Sequence, residues 1–252
     1  MKLRGVRRNR AARMGVELFL YERAFEDCLE RIALQQRRFD RALLIGCPDP
    51  AWPERITTIA ASVDVRDPGP IFACKARGTC IREDAWHPPE AAYNLVICIG
   101  TLDTVNDLRL ALRLIRHSMN GNGLFIGALS GGDTLPQLRS AMRAADALSG
   151  RAAPHVHPRI DASALSPLIV EAGFADPVVD IDRVTVSYPS LQRLVSDLRR
   201  MAATNILTDR PRFIGRAAVA AASNLFATAG NEGRTAEIFE ILHFAAWTRE
   251  QG

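Results

Sequence analysis

Residues 40–56 read "DRALLIGCPDPAWPERI", and the reading of this stretch decides the fold. Ala42 to Ile45 is a short apolar run closed by Gly46, the pattern of a strand buried in a parallel sheet. A glycine-rich loop often follows such a strand in nucleotide-binding proteins, because glycine permits positive φ and close approach of backbone to ligand. Here the loop continues Cys47-Pro48-Asp49-Pro50. Proline fixes φ at about −65° and has no N–H to donate. The stretch is therefore either a cofactor loop that has exchanged its glycines or a rigid strand-to-helix turn.

The surrounding chain alternates strand and helix. Upstream, residues 16–34 carry Leu18, Tyr21, Phe25, Leu29 and Ile32 at helical spacing. Downstream, a short helix is expected near 53–60, then the extended "ASVDV", the breaker "DPGP", and "YNLVICIG", the strongest strand signal in the chain. "NDLRLALRLIRHSMNGNG" reads as a helix capped by Asn106 and stopped by Gly121. "LFIGALS" is a further buried strand. After it "GGDT" turns the chain, and Asp133 or Thr134 is placed to cap a helix carrying Leu135, Leu138, Met142 and Ala145. The alternation predicts a mostly parallel sheet with helices on both faces. After residue 148 the pattern changes: a helix ends at Gly173, "PVVDIDRVTVSY" is extended, residues 190–228 are helical with an interruption near Asp209 to Pro211, and "TAEIFEILHFAAW" is a last strand.

Composition narrows the function classes. The 252 residues suit one α/β domain with a helical addition, and 48% hydrophobic with 24% charged residues is an ordinary globular balance. No run approaches the roughly 20 apolar residues of a membrane span. The net charge of +4 is uneven: residues 1–41 hold 11 Lys/Arg against 6 Asp/Glu, and the rest is close to neutral. The start, "MKLRGVRRNRAARMG", lacks the apolar core of a secretory signal and reads as a solvated basic arm or a transit peptide. No aromatic-plus-basic stripe or zinc module accompanies the charge, so nucleic acid is not expected as a partner. Five cysteines, an odd number without a CxxC, suit free thiols in a reducing compartment.

The order of elements resembles the Rossmann-like class I S-adenosylmethionine-dependent methyltransferase fold: a seven-stranded, mostly parallel sheet with an antiparallel last strand. "GLFIGALSGGDTLPQLRSAM", "PHVHPRID", "EAGFADPVVDIDRVTVSYPS" and "DLRRMAATN", in that order, resemble one subgroup. It comprises the mitochondrial respiratory complex I assembly factor described as a protein-arginine hydroxylase and its bacterial relatives. The malonyl-carrier-protein methyltransferases are more distant cousins. The resemblance runs from about Phe39 to Trp247, so residues 39–252 are read as the methyltransferase-like domain with a helical insert at about 190–228, and residues 1–38 as a basic arm and helix that could close over a cleft and meet an acidic partner.

The resemblance implies S-adenosylmethionine as cofactor, with Gly46, Cys47, Asp64, Asp84 and Gly100 around it. Asp64 takes the place of the ribose acid at the end of strand two, and Glu83 and Asp84 fall near the adenine segment. Three departures oppose this. The motif's acid is Leu44, its later glycines are Pro48 and Pro50, and Arg82 and Asp103-Thr104 stand where the family shows an acid and a His-Trp pair. On the substrate side the candidates are Gly131, Gly132, Thr134, Arg139, Tyr188 and Asn205, with Asp133, His155 and His157 as candidate catalytic groups. Gly131 and Gly132 would admit a substrate backbone, and Asp133 could hold a cationic side chain such as arginine. Each also has a plain structural use, as turn, cap or loop. In an extended "PHVHP" the two histidines would share a side, but no third ligand is visible nearby and no metal is assigned.

Two functions follow. The first is a methyltransferase-fold enzyme modifying a protein side chain or acting in respiratory complex I assembly. The second is an inactive descendant that kept a protein-binding face and lost its cofactor. The expected location is the cytoplasm of a bacterium, or the mitochondrial matrix in a eukaryote.

Overall fold

The computed structural model describes residues 2–150, 152–210 and 213–249. Helices α1 (Lys2–Met14) and α2 (Phe19–Ala33) precede β1 (Phe39–Ile45), α3 (Trp52–Ile56), β2 (Ala60–Asp67), α4 (Pro70–Lys75), β3 (Thr79–Cys80) and β4 (Tyr93–Ile99). Then come α5 (Leu108–Ser118), β5 (Met119–Ser130), α6 (Pro136–Ser149), α7 (Ala162–Glu171), β6 (Ala175–Tyr188), α8 (Leu191–Arg200), α9 (Arg216–Thr228) and β7 (Thr235–Trp247). The sheet runs β3-β2-β1-β4-β5-β7-β6, parallel except for β7, which is antiparallel to both neighbours. This is the class I methyltransferase architecture that the strand pattern predicts.

The strands form where the apolar runs are. Leu43, Leu44 and Ile45 of β1 and Val96, Ile97 and Cys98 of β4 are buried, as expected for central parallel strands covered on both faces. On one face α2 packs Phe25 against Trp52 as stacked rings 4.2 Å apart. On the other, α5 and α7 close over Phe125, Phe174 and Phe244. A third cluster joins α6, α8 and α9 through Leu194, Phe226 and Phe239 at the β7 end of the sheet. Strand order reverses between β1 and β4, so the carboxyl ends of these strands open the crevice where such sheets take ligands.

Several local expectations are corrected. The cap of α5 is Asp107, not Asn106; its carboxylate accepts from the Leu110 N–H at 2.9 Å. The helix gives way to β5 at Met119, ahead of Gly121. Neither Asp133 nor Thr134 caps α6. Leu135 precedes it in the left-handed region, and Glu237 of β7 receives the Gln137 and Leu138 amides at 3.1 and 2.8 Å. The helix read near 53–60 stops at Ile56, and the interruption read at Asp209 to Pro211 falls between α8 and α9, where the described residues 201–210 and 213–215 are not helical and Pro211 lies outside the described residues. The basic start is not a solvated arm: it is α1, with Arg4 and Arg8 buried.

Candidate functional site

The crevice is built from the ends of β1, β2 and β4. Gly46 leaves β1 with φ +86°, and a Cβ there would lie 2.2 Å from the Ile99 carbonyl oxygen. Only glycine lets β1 and β4 come this close. Beyond it the loop is closed upon itself. The N–H groups of Gly46, Cys47, Ala51 and Trp52 donate to the Arg66 carbonyl, the Asp67 carboxylate, the Asp49 side chain and the Asp49 carbonyl. Pro48 and Pro50 have no N–H. Cys47 is buried, and burial, with Asp67 and Asp49 adding negative charge, pushes its thiol up to about 12. A thiol so protonated is no nucleophile near neutral pH.

The acid at the end of strand two is Asp67, not Asp64. Asp64 sits inside β2, paired in register with Leu43, and its carboxylate accepts from Tyr93 Oη and Arg41 Nη2, each at 2.7 Å. Partial burial opposes its charge, but these hydrogen bonds outweigh it and hold the carboxyl below its ordinary value. Asp67 is fully buried. It accepts from the Cys47 and Gly69 N–H groups at 2.8 and 2.6 Å, and from Arg8 through Nε at 2.8 Å and Nη2 at 2.5 Å. Burial opposes the charge of Arg8, yet Asp67 more than compensates and raises its pKa above the ordinary value.

One turn earlier on α1, Arg4 repeats the arrangement. Its two terminal nitrogens grip both oxygens of Glu83 at 2.5 and 2.8 Å, one of them also donates to the Thr101 carbonyl, and Nε donates to Thr104 Oγ1 at 3.0 Å. Glu83 is fully buried, whereas Asp84 turns away, accepting from the Asp107 N–H at 3.3 Å and facing Arg82 at 3.6 Å. The i, i+4 spacing of Arg4 and Arg8 on an acid-free helix is the one sequence signal that could have located them. Gly100 closes this end of the crevice with φ +58°, and a Cβ there would strike the Tyr21 ring at 2.3 Å. Tyr21 Oη donates to the Met201 carbonyl, tying α2 to the end of α8.

S-adenosylmethionine does not fit these residues as they stand. Four N–H groups of the loop are taken, two of its residues are prolines, and the buried acids Asp67 and Glu83 each hold an arginine of α1 with both oxygens. A buried pair of this kind is held by its paired, charge-assisted hydrogen bonds, and breaking it leaves a charge uncompensated.

Beside the crevice lies a cavity of about 80 Å³, between α2, the ends of β4 and β5, the start of α6, the end of α8, and β7. Its wall is mostly apolar, with Tyr21, Leu135 and Phe239, and carries one buried ion pair, Asp103 with Arg159. Thr134 lines it but is fastened by its hydroxyl, which donates to the Glu240 carbonyl and accepts from the Glu240 N–H, both at 3.0 Å.

The other candidates serve the scaffold. Asp133 is exposed at the rim, 3.2 Å from Arg183. Gly131 and Gly132 are packed so tightly on Glu240 and Asp161 that a Cβ would come within 2.4 and 2.1 Å of their carboxylate oxygens, so it is these side chains that require the glycines. Arg139 donates to the Thr134 carbonyl at 3.0 Å and folds back over its own turn, its pKa lowered by burial and by Arg159 and Arg143. His155 and His157 take different neighbours. His155 Nε2 lies 2.6 Å from Asp146 of α6, while His157 is half-buried near Arg159 and Asp103, its pKa lowered by burial and then by Arg159. Among the described residues no cluster of His, Cys, Asp and Glu could hold a metal ion. Tyr188 is buried, with its hydroxyl unpaired and its pKa raised by burial. Asn205 donates to the Pro154 carbonyl and accepts from the Leu207 N–H, pinning two loops together. Among the described residues no helix is long and apolar enough to cross a membrane.

No family model matches the chain. It is similar to the arginine-hydroxylase NDUFAF5, mitochondrial, of Danio rerio, with 34% identity over 173 residues, which are 67% of this chain and 54% of that protein. The malonyl-[acyl-carrier protein] O-methyltransferase of Xylella fastidiosa is 30% identical over 160 residues, 63% of this chain and 52% of the relative. The chain thus spans about half the length of the curated relatives it matches. Among solved structures, the YcgJ protein of Bacillus subtilis superimposes with a TM-score of 0.62 at 11% identity, covering 90% of this chain and 99% of that one. At that identity the likeness is one of fold.

Proposed function

We infer that this chain, which belongs to the class I S-adenosylmethionine-dependent methyltransferase superfamily, works as a protein-binding factor in respiratory complex I assembly rather than as a methyl-transfer enzyme. One observation carries this reading: Arg8 on Asp67 and Arg4 on Glu83 take the acids that would serve a bound cofactor. The closed loop at Pro48 and Pro50 supports it. The partner would be a complex I subunit, in the mitochondrial matrix of a eukaryote or the cytoplasm of a bacterium. The link to complex I rests on the resemblance of the SGGDTL, PHVHP and DLRRMAATN segments and on the similarity to the arginine-hydroxylase.

A second reading is favoured by the cavity beside Gly100. It is modification of a protein side chain, arginine being the candidate, by methyl transfer or hydroxylation. That reading requires α1 to leave the crevice so that a cofactor can enter next to the Asp103–Arg159 pair.

Affinity capture tests the first reading. The tagged full chain and its Pro48→Gly/Pro50→Gly variant are expected to recover the same complex I subunit in equal yield after gentle lysis. Failure to recover a subunit, or recovery lost in the loop variant, contradicts it.

A further inference from the structure

Helix α1 has a second arginine face. Residues 2–14 carry six Lys/Arg and no carboxylate, and Arg4 and Arg8 use only the inner side. The helix is seated by Ala11 and Ala12, which pack with Phe72 and Ala202. It is also tied to the end of α8: Arg200 Nε donates to the Gly15 carbonyl at 2.8 Å, and the Glu17 N–H donates to the Arg200 carbonyl at 3.3 Å. This seating places Arg7 among Arg10 of its own helix, Arg199, the neighbour of Arg200, and Arg210 in the segment after α8.

Among the described residues none of these four arginines forms an ion pair with an acid. Glu17, the one carboxylate of the connection after α1, faces Arg200 at 3.3 Å. Asp209, next to Arg210, forms no ion pair among the described residues, and Arg210 donates instead to the Leu207 carbonyl at 2.7 Å. Arg7 is half-buried, and its Nε is shut off from solvent without a hydrogen-bond partner. Burial, then Arg210, Arg10 and Arg199, lower its pKa, which is how converging like charges act.

Such a cluster is unfavourable until an anion enters it. Guanidinium forks suit carboxylates, which they bind through paired hydrogen bonds. We propose that Arg7, Arg10, Arg199 and Arg210 form a docking surface for an acidic segment of a partner protein. A protein segment is favoured over a lipid surface because Arg7 sits recessed rather than on a broad face. The near-neutral charge of residues 42–252 also offers little added attraction to a membrane. The inference shares with the proposed function only that the partner is a protein; it does not depend on the state of the crevice.

The test is fluorescence anisotropy of a labelled hexaglutamate peptide with the full chain at low ionic strength. Saturable binding that weakens as salt rises is expected. Arg199→Glu/Arg210→Glu should weaken it about tenfold or more, while Arg143→Glu, an exposed arginine on α6, should leave it nearly unchanged. Thermal melts establish that each variant is folded. Absence of saturable binding, equal loss in the Arg143 variant, or binding only to vesicles containing phosphatidylglycerol would overturn the proposal. Complex I subunit capture can succeed or fail independently, so the two claims are separable.

Discussion

Arg8 and Asp67, 59 residues apart in sequence, meet as a buried pair joined by two hydrogen bonds at the carboxyl end of β2. The first consequence is energetic. Removing one member strands the other without water, at a cost of about 3–5 kcal/mol. Arg8→Ala should show a loss of this order in urea unfolding. Adding Asp67→Asn should return part of it, because no uncompensated charge remains. A loss below about 1 kcal/mol would mean the pair is not buried as described.

Gly46 should tolerate no side chain. Gly46→Ala faces both a positive φ and the Ile99 carbonyl oxygen at 2.2 Å. Backbone strain alone accounts for about 1–3 kcal/mol, and the contact adds to it. Calorimetric unfolding should show a clear drop in Tm. An unchanged Tm would contradict the tight passage between β1 and β4.

Asp64 makes a pH prediction. Its folded pKa is lowered from 3.8, so its contribution to stability is present above that value and is lost as pH falls through the folded pKa. The pair is partly exposed and its contribution small, about 0–1 kcal/mol. Asp64→Asn should lower stability at neutrality by up to about 1 kcal/mol and converge with the parent chain in acid, below pH of about 4. A difference between the two that persists undiminished in acid would show that Asp64 does more than accept from Arg41 and Tyr93 as a carboxylate.

The SGGDT turn separates scaffold from rim. Thr134→Val strips the hydroxyl that serves both the Glu240 carbonyl and N–H, and should cost about 1–3 kcal/mol. Asp133→Ala loses only an exposed contact with Arg183 and should stay within about 0.5 kcal/mol. Chemical denaturation of both variants checks the contrast, and equal losses would contradict it.

The sheet was legible because its strands are written as apolar runs: Ala42 to Ile45, Leu95 to Ile99 and Leu124 to Leu129 have little else they can become. The late pair β6 and β7 was legible from alternation. The site was less so, because its partners are remote. Nothing local to "VDVRD" says that the strand runs on to Asp67, whose polar side chain reads as a turn until Arg8 arrives from α1. Glu237, which holds the start of α6, lies 99 residues from the Leu138 amide it receives. Helix α1 has no long apolar stripe: a small patch at Ala11 and Ala12 and the Arg4 and Arg8 pairs seat it, and composition cannot distinguish these from a solvated arm. The sequence of the loop leaves open whether it is an altered cofactor loop or a rigid turn; that the N–H groups of Gly46, Cys47, Ala51 and Trp52 bond within the loop and to β2 is not written in it.

The most direct test of the filled crevice is calorimetric titration of the folded full chain with S-adenosylmethionine and with S-adenosylhomocysteine. The account predicts no saturable heat with either ligand. Micromolar binding would mean that α1 yields the acids of β2 and the Glu83 segment to a cofactor, and would contradict it.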